Sequence, residues 1–125
     1  MEEKLYQRLN LPPGSRILDA GAGSGHVACY MAERHDFIVM GVDLTDSHVQ
    51  NARKFIQQRN LEDKGSVQKG DYHDLSTFGN SSFDGIYTME TFVHADDPLK
   101  VLQNFQRLLK PGGVLVSRSR SFAFT

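Results

Sequence analysis

A run of alternating glycines is the stretch of this chain best suited to chemistry. Residues 17–26 read Ile-Leu-Asp-Ala-Gly-Ala-Gly-Ser-Gly-His, a short apolar run that ends at an acid and is followed by Gly21, Gly23 and Gly25. This order is typical of a strand, a tight turn and a helix N-terminus, where a ligand can approach the main chain closely. Free N–H groups at a helix start suit an anionic or carboxylate-bearing ligand. Because the third glycine falls one residue earlier than in the dinucleotide-binding fingerprint, a simple tight turn remains an alternative interpretation.

Carboxylates also follow the next two apolar runs. Asp43 ends the run 37–43, and Asp71 follows the weaker run 64–70. Since the carboxyl ends of parallel strands meet at one edge of a sheet, we expect these acids to lie near Asp19. Asp43 comes about 20 residues after the glycine turn, the distance at which a second-strand acid accepts hydrogen bonds from ribose hydroxyls. Asp71 is placed to accept from an exocyclic adenine amine, with Tyr72 beside it.

Each of these acids also has a plainer interpretation. Asp43 can simply cap the following helix, and Asp71 can be an ordinary loop carboxylate. Several carboxylates at one rim would repel a pyrophosphate, whereas they suit a ligand that carries hydroxyl groups or positive charge. The acids therefore favour a nucleoside with a cationic amino-acid tail over a dinucleotide.

The elements that must position these residues alternate along the chain. Short apolar runs predict strands at 16–19, 37–43, 64–70, 83–89 and 113–117. Apolar residues at helical spacing predict helices at 2–9, 24–34, from a cap at Thr45 or Asp46 to 59, and at 98–110. We expect one helical turn near 73–75, and Pro111-Gly112-Gly113 is expected to end the last helix. The alternation predicts an α/β protein with a parallel, doubly wound sheet and helices on both faces.

Size and composition bound the class of protein. The 125 residues, 39% of them hydrophobic and 23% charged, are typical of a single globular domain, with an N-terminal helical segment over 1–14 and a core over 15–125. A net charge of −1 gives no electrostatic footprint for nucleic acid. No apolar run approaches the roughly 20 residues of a membrane span. The single cysteine, Cys29, and an N-terminus unlike a secretion signal favour a cytoplasmic location.

No metal site is expected. The five histidines fall in separate predicted elements and lack the spacing of metal ligands. The lone cysteine falls within a predicted helix, where a packing role is the simpler interpretation.

Five segments of the chain, taken in order, form a characteristic set. They are the glycine run 17–25, Gly41-Val42-Asp43, Gly70-Asp71, residues 83–94 and the run 108–115. Together they resemble class I S-adenosylmethionine-dependent methyltransferases. The resemblance implies S-adenosylmethionine as the cofactor and S-adenosylhomocysteine as its product. It also implies a Rossmann-like sheet of about five strands in the order 3-2-1-4-5.

The resemblance assigns roles to individual positions. It implies that Asp19 and the glycine turn lie at the methionine part of the cofactor, with Asp43 at the ribose. Asp71 and Tyr72 are implied at the adenine, and the end of the fourth strand is implied beside the sulfonium and its methyl group. The complete predicted set of cofactor-binding residues is Asp19, Ala20, Gly21, Gly23, Gly25, Asp43, Leu44, Asp71, Tyr72 and Met89.

Two residues beyond the fourth predicted strand are candidates for catalysis. The segment 87–95 is similar to small-molecule methyltransferases and to the sterol C-methyltransferase branch, through Glu90 and His94. Methyl transfer depends above all on alignment and desolvation, and it needs a base only where the acceptor carries a proton. If the segment is helical, Glu90 and His94 share a face, and His94 could accept a proton near neutral pH. The alternative is that His94 holds the loop through hydrogen bonds to the backbone.

The C-terminal stretch adds a second class of function. Residues 117–125 do not resemble the further strands that the family carries after its fifth strand, so we expect a shortened domain without the usual antiparallel hairpin. Residues 114–117 would then form an open edge, which favours a homodimer or a swapped dimer through the C-terminal segment. We expect a methyltransferase acting on a small, lipophilic acceptor. The alternative is a non-catalytic S-adenosylmethionine-binding module or partner subunit, whereas the glycine spacing, Asp19 and Asp71 disfavour a nicotinamide-dependent oxidoreductase.

Overall fold

The computed structural model describes residues 2–88 and 97–117 and the backbone of 120–123. Within these residues helices and strands alternate for most of the chain, as the sequence predicts. The elements are α1 (Glu2–Leu9), β1 (Arg16–Ala20), α2 (His26–His35), β2 (Ile38–Asp43), α3 (Asp46–Gln58), β3 (Gly65–Lys69), β4 (Phe83–Thr88), α4 (Pro98–Leu108), β5 (Leu109–Ser117) and β6 (Arg120–Ala123).

One sheet with the strand order β3-β2-β1-β4-β5-β6 organises these elements. All pairings among β1 to β5 are parallel, which confirms the predicted order 3-2-1-4-5 of a doubly wound sheet. Asp19 near the end of β1 pairs with Gly41 of β2, and Asp43 at the end of β2 pairs with Lys69 of β3. The carboxyl ends of β1, β2 and β3 therefore meet at one edge, next to the point where the winding reverses.

Helices cover both faces of the sheet. Ile17 and Leu18 of β1 are both fully buried, and they belong to different apolar clusters because successive strand residues point to opposite faces. Phe105 of α4 packs in the cluster of Leu18, whereas Met31 of α2 packs in that of Ile17. This burial on both sides fixes the strand from which the glycine loop begins. None of the described helices combines the length and apolar character that crossing a bilayer requires.

The C-terminal stretch differs from its prediction. Arg120–Ala123 pairs antiparallel with β5, so that Val114 lies opposite Ala123 and Ser117 lies opposite Arg120. The expectation that 114–117 form an open sheet edge is therefore wrong. The serine- and arginine-rich sequence shows no strand pattern. However, the N–H and C=O groups along an edge can be satisfied by the backbone of almost any sequence.

The boundary between α4 and β5 also differs from its prediction. The helix ends at Leu108, and Leu109 already belongs to the strand, so Pro111-Gly112-Gly113 lies inside β5 rather than at the helix end. The pairing with β4 shifts between Phe83–Leu109 and Gly85–Val114, which identifies a bulge. Sequence patterns place helix stops only to within a few residues, and here the proline and glycines serve the bulge.

The helical turn expected near 73–75 is absent from this described part of the chain. The backbone N–H of Asp74 instead donates a 2.8 Å hydrogen bond to the carbonyl of Asp71, and the two residues form an isolated antiparallel bridge. The side chain of Asp71 also accepts from the N–H of His73, which is the local bond that favours turns over helices.

Candidate functional site

The glycine run forms a tight loop between β1 and α2. Its three glycines have positive φ angles of 92° at Gly21, 56° at Gly23 and 84° at Gly25, a region that other residues enter only with strain. The N–H groups of Gly21 and Ala22 donate to the carbonyl of Val42, at 2.8 and 3.0 Å. These bonds attach the loop to the end of β2.

Gly25 also allows two helices to approach each other. It is the N-cap of α2, and a Cβ added there would lie 3.0 Å from the Cβ of Ala52 and 3.3 Å from its Cα. Ala52 lies within α3 and is fully buried. Gly25 therefore supports the loop from the side of the helices.

Asp43 holds the same loop through its carboxylate. Its Oδ2 accepts a 2.7 Å hydrogen bond from the N–H of Gly23. Its Oδ1 accepts from the N–H of Thr45 at 2.9 Å and lies 3.2 Å from Nδ1 of His48. Burial raises the pKa of Asp43, but the hydrogen bonds from Thr45 and Gly23, together with His48, lower it further, so the net pKa lies below the ordinary value. The carboxylate is thus ionised at neutral pH, and it holds both Thr45, the N-cap residue of α3, and the glycine loop.

Asp19, two residues before Gly21, lies in the core rather than at the surface. Its side chain is buried, and Oδ2 accepts a 2.8 Å hydrogen bond from the hydroxyl of Tyr87 in β4. Burial raises the pKa of Asp19 to about 7, the nearby charge of Asp43 acts in the same direction, and the bond from Tyr87 opposes both. Asp19 is therefore an acid that changes its charge close to neutral pH.

A cavity of about 230 Å³ opens at the carboxyl ends of β1, β2 and β3. We call it the glycine-loop cavity. Its lining residues are Gly21, Gly23, Val42, Asp43, Leu44, Thr45, His48, Gly70 and Tyr72.

Five of the predicted cofactor-binding residues line this cavity, namely Gly21, Gly23, Asp43, Leu44 and Tyr72. Asp19, Ala20, Gly25 and Asp71 are not in the lining itself: Ala20 and Asp71 adjoin lining residues in the chain, and Asp19 and Gly25 each lie two residues from a lining glycine. The predictions for Met89, Glu90 and His94 fall outside the described residues.

Sequence reasoning missed four lining residues, Val42, Thr45, His48 and Gly70. Thr45 and His48 belong to the N-cap and first turn of α3, which begins directly after Asp43. A helix that starts at the ligand edge turns its first residues toward the ligand, and this was the available signal for His48. Among the described residues, no three His, Cys, Asp or Glu side chains cluster as metal ligands.

The loop after β3 is braced from two sides. Oδ1 of Asp71 accepts from the N–H of His73 at 2.9 Å and from its ring Nδ1 at 2.8 Å. Burial raises the pKa of Asp71, but these bonds from His73 lower it further, below the ordinary value. The Tyr72 ring stacks on Phe105 of α4, with centroids 6.4 Å apart. Asn104 of α4 donates to the carbonyls of Tyr72 and His73, at 3.3 and 2.9 Å.

The described groups together suit a polar ligand with hydrogen-bond donors. Asp43 offers an ionised carboxylate, the glycine loop offers open backbone, and Tyr72 and Leu44 offer ring and apolar surface. Leu44 is 56% exposed, which is high for a leucine in a folded domain. The arrangement can therefore hold a ligand that is polar along one side and flat and apolar at one end.

Known proteins are similar to this chain in both sequence and fold. The family model described as "Methyltransferase domain" matches residues 18–117. The S-adenosyl-L-methionine-dependent Diels-Alderase iccD of Talaromyces variabilis is 48% identical over 114 residues, covering 90% of this chain and 39% of that protein. The sterol 24-C-methyltransferase erg6 of Aspergillus fumigatus is 34% identical over 113 residues, covering 90% of this chain and 30% of that enzyme.

A solved structure is also similar to this chain in fold. The [4+2]-cyclase SpnF superposes with a TM-score of 0.87 at 26% identity, over 92% of this chain and 42% of that protein. The chain thus spans less than half the length of each of these three proteins. The predicted resemblance is confirmed, and the chain belongs to the family of S-adenosylmethionine-dependent methyltransferases, whose cofactor is S-adenosylmethionine.

Proposed function

We propose that this chain forms the S-adenosylmethionine-binding part of an enzyme that transfers a methyl group to a small, lipophilic acceptor. The observation that carries the proposal is the glycine-loop cavity, which brings Gly23, Asp43 and Tyr72 together at the ends of three neighbouring strands. Membership of the methyltransferase family supports the same function.

The groups around the cavity fit the adenosyl part of S-adenosylmethionine. The ionised carboxylate of Asp43 is a suitable acceptor for ribose hydroxyls, since Oδ2 keeps acceptor capacity beyond its bond from Gly23. A Cβ added at Gly23 would meet no atom within 4 Å, so the backbone there is open to a ligand. Leu44 and Tyr72 would contact the adenine, and Asp71 would accept from its amine. When bound, the cofactor supplies a methyl group activated by the sulfonium.

The part proposed for Asp19 is electrostatic. Asp19 is 2% exposed, so it acts on the methionine end across Ala20, the last residue of β1, and the loop between Gly21 and Gly25. A carboxylate favours the cationic amino group of that end, and the preference strengthens as Asp19 ionises.

The residues proposed for the reaction follow β4. Met89 would border the methyl group, and Glu90 and His94 would contact the acceptor, with His94 as the base where the acceptor carries a proton. β4 is the strand that precedes these positions. Its residues Ile86 and Tyr87 are fully buried, and they pair with Leu18 and Asp19 of β1. β4 ends at Thr88, the last described residue before these positions.

A second candidate function is a [4+2] cycloaddition. It is favoured by the identity of 48% to the Diels-Alderase iccD, against 34% to the sterol methyltransferase erg6. A cycloaddition releases no group and takes no methyl from a cofactor, so the cofactor would serve binding and orientation alone. The two functions share the cavity and differ in the fate of the methyl group.

The cofactor site is tested by calorimetry of the full chain with S-adenosylmethionine, S-adenosylhomocysteine and NAD. We expect both sulfur-containing ligands to bind and NAD to bind weakly or not at all. Asp43→Ala should lose at least about tenfold in affinity for both, because hydrogen bonds to an ionised acceptor are removed. Tighter binding of NAD than of either sulfur-containing ligand would overturn the proposal.

The two reactions are separated by product mass and cofactor turnover. Methyl transfer releases S-adenosylhomocysteine and gives a product one methylene heavier than the acceptor. Cycloaddition of a linear polyene substrate gives a product of unchanged mass and releases no S-adenosylhomocysteine. Ligand binding with neither outcome over a broad panel of acceptors and polyenes would favour the non-catalytic module.

Two further expectations remain proposals. Self-association through the C-terminal edge would now involve β6, the last strand of the sheet in the described part of the chain. Light scattering at high concentration tests it, and a strictly monomeric species would count against it. A cytoplasmic location is proposed from the single cysteine, Cys29, which is a buried free thiol.

A further inference from the structure

Both acids proposed to contact the adenosyl group are held in the same way. In each, Oδ1 accepts from the backbone N–H two residues later, at 2.9 Å for Thr45 on Asp43 and 2.9 Å for His73 on Asp71. In each, a histidine Nδ1 reaches the same oxygen, at 3.2 Å for His48 and 2.8 Å for His73.

The second oxygens of the two acids differ. Oδ2 of Asp43 is engaged by the N–H of Gly23. Every hydrogen bond that the described residues make to the Asp71 carboxylate goes to Oδ1. The Asp71 side chain is 42% exposed and follows Gly70, which lines the glycine-loop cavity. Asp71 therefore has one oxygen saturated by His73 and one oxygen available to a ligand.

The His73 ring is itself held in one orientation. Because the Asp71 carboxylate is ionised, Nδ1 of His73 must be the donor of the bond between them. Nε2 is buried and has no hydrogen-bond partner within the described ranges, so the bond from Nδ1 to Asp71 is the hydrogen bond that orients the ring there. Asn104 fixes the backbone of His73 through its carbonyl at 2.9 Å.

We propose that His73 is a positioning residue that fixes the Asp71 carboxylate so that Oδ2 faces the 6-amino group of the adenine, and that it thereby selects adenine over a 6-oxo purine. The inference rests on the proposed cofactor site. A fixed Oδ2 accepts from the amine but is repelled by a 6-oxo group. A carboxylate free to rotate could instead turn to the N1–H of a 6-oxo purine, so selectivity depends on the restraint that His73 supplies.

The test is calorimetry of the full chain with S-adenosylhomocysteine and S-inosylhomocysteine, which differ at the 6-position of the base. The wild type should prefer the adenosyl ligand by roughly 10- to 100-fold, the range expected for one hydrogen bond to a charged group. His73→Ala should reduce this ratio to within about threefold, since only the backbone N–H of residue 73 then holds Oδ1, and the carboxylate can turn about that single bond. His73→Asn should keep the ratio, because its side-chain amide can donate from nearly the position of Nδ1.

His48→Ala is the matched control. It removes the equivalent histidine from Asp43, on the ribose side, so it should weaken both ligands alike and leave the ratio unchanged. His73→Phe keeps the volume of the ring without its donor, and it should behave as His73→Ala does. It serves as the test if the alanine variant fails to fold in a thermal melt.

The outcomes separate the inference from the proposed function. If the wild type binds neither ligand, the proposed cofactor site fails and the inference fails with it. If the wild type prefers the adenosyl ligand and His73→Ala or His73→Phe keeps that preference, the inference alone is overturned. A merely structural role of His73 would lower both affinities equally and leave the ratio where it was.

Discussion

The hydroxyl of Tyr87 donates a 2.8 Å hydrogen bond to Oδ2 of Asp19, and both side chains are almost completely buried. Asp19 pairs with Tyr87 across β1 and β4, so the bond joins the two central strands two residues before the glycine loop begins. Burial raises the pKa of Asp19 from 3.8 to about 7. The protein thus keeps an acid in its core whose ionisation is opposed by its surroundings.

This pair predicts how stability changes with pH. The unfolded chain loses the Asp19 proton near pH 3.8, whereas the folded chain keeps it to about pH 7. Between these values the folded state binds the extra proton, so the contribution of Asp19 to the free energy of unfolding falls as pH rises. Asp19→Asn cannot ionise. The difference in free energy of unfolding between variant and wild type should therefore shift in favour of the variant when the pH is raised from about 5 to about 8. Urea unfolding of both proteins at the two pH values measures the difference.

Tyr87→Phe is the partner experiment. The Tyr87 hydroxyl lowers the pKa of Asp19, so its removal should raise that pKa further and extend the loss of stability to higher pH. A variant Asp19→Asn with the same pH dependence as the wild type would show that Asp19 does not titrate in this range.

The glycine loop predicts a loss of ligand affinity that stability alone cannot explain. Gly23 has a φ of 56°, and a Cβ there would meet nothing within 4 Å. Gly23→Ala should therefore cost about 1 to 2 kcal/mol through backbone strain, and it should also weaken S-adenosylhomocysteine binding because the methyl group enters the cavity. Gly14, with a φ of 86° and equally open surroundings, is the control. Gly14→Ala should lower stability and leave the affinity measured by calorimetry unchanged.

Gly25 predicts a coupling between two helices. Gly25→Ala would place a methyl group 3.0 Å from the Cβ of Ala52 and adopt a φ of 84°. We expect a loss of about 2 to 4 kcal/mol, from overpacking and backbone strain together. Ala52→Gly alone should cost about 1 kcal/mol, as glycine does within a helix. The double variant should be more stable than the sum of the two losses predicts, and a strictly additive cycle in urea unfolding would contradict the close contact.

Much of the sheet edge around the glycine-loop cavity could be predicted, because the sequence signals for it are local. Apolar runs that end in acids predicted β1 and β2, and the spacing from the glycine turn predicted Asp43 as a second-strand acid at the edge where these strands end. In the structure, residues at this spacing are in contact: the N–H of Gly23 donates to the carboxylate of Asp43, 20 residues later. Such patterns are predictive because a strand, a turn and the start of a helix each depend mainly on residues that are close together in the chain.

Other features depend on contacts that are distant in the chain. The sequence shows an acid after an apolar run, but only the fold places Tyr87, 68 residues away, against Asp19 and buries both. The position of His48 at the cavity depends on the contact between its ring and Asp43, and β6 pairs with the edge that β5 would otherwise leave open. The order of residue types along a chain does not indicate which distant residues will meet. The open edge predicted at β5 was therefore wrong, and no prediction was made for Tyr87 or for His48 at the cavity.

Arg107 of α4 predicts a local effect on the loop before β4. Its guanidinium donates to the carbonyls of Leu75 and Phe78, at 2.8 and 2.9 Å, and to the side chain of Asn80 at 2.9 Å. Arg107→Ala should cost about 1 to 3 kcal/mol, because partly buried carbonyls lose a charged donor. Arg107→Lys should recover little, since a single ammonium group cannot reach both sides of the loop.

The control for Arg107 is a second arginine whose partner lies at the surface. Arg59 pairs with Glu33 at 2.7 Å, but the two side chains are 46% and 41% exposed, so Arg59→Ala should change stability by less than about 1 kcal/mol. Hydrogen exchange of the amides in 75–80 should accelerate in both Arg107 variants and remain unchanged in Arg59→Ala, because Arg107 bonds to the carbonyls of Leu75 and Phe78 whereas Arg59 bonds to Glu33. Equal losses of stability in Arg107→Ala and Arg59→Ala, with unchanged exchange in the loop, would show that α4 does not hold this segment.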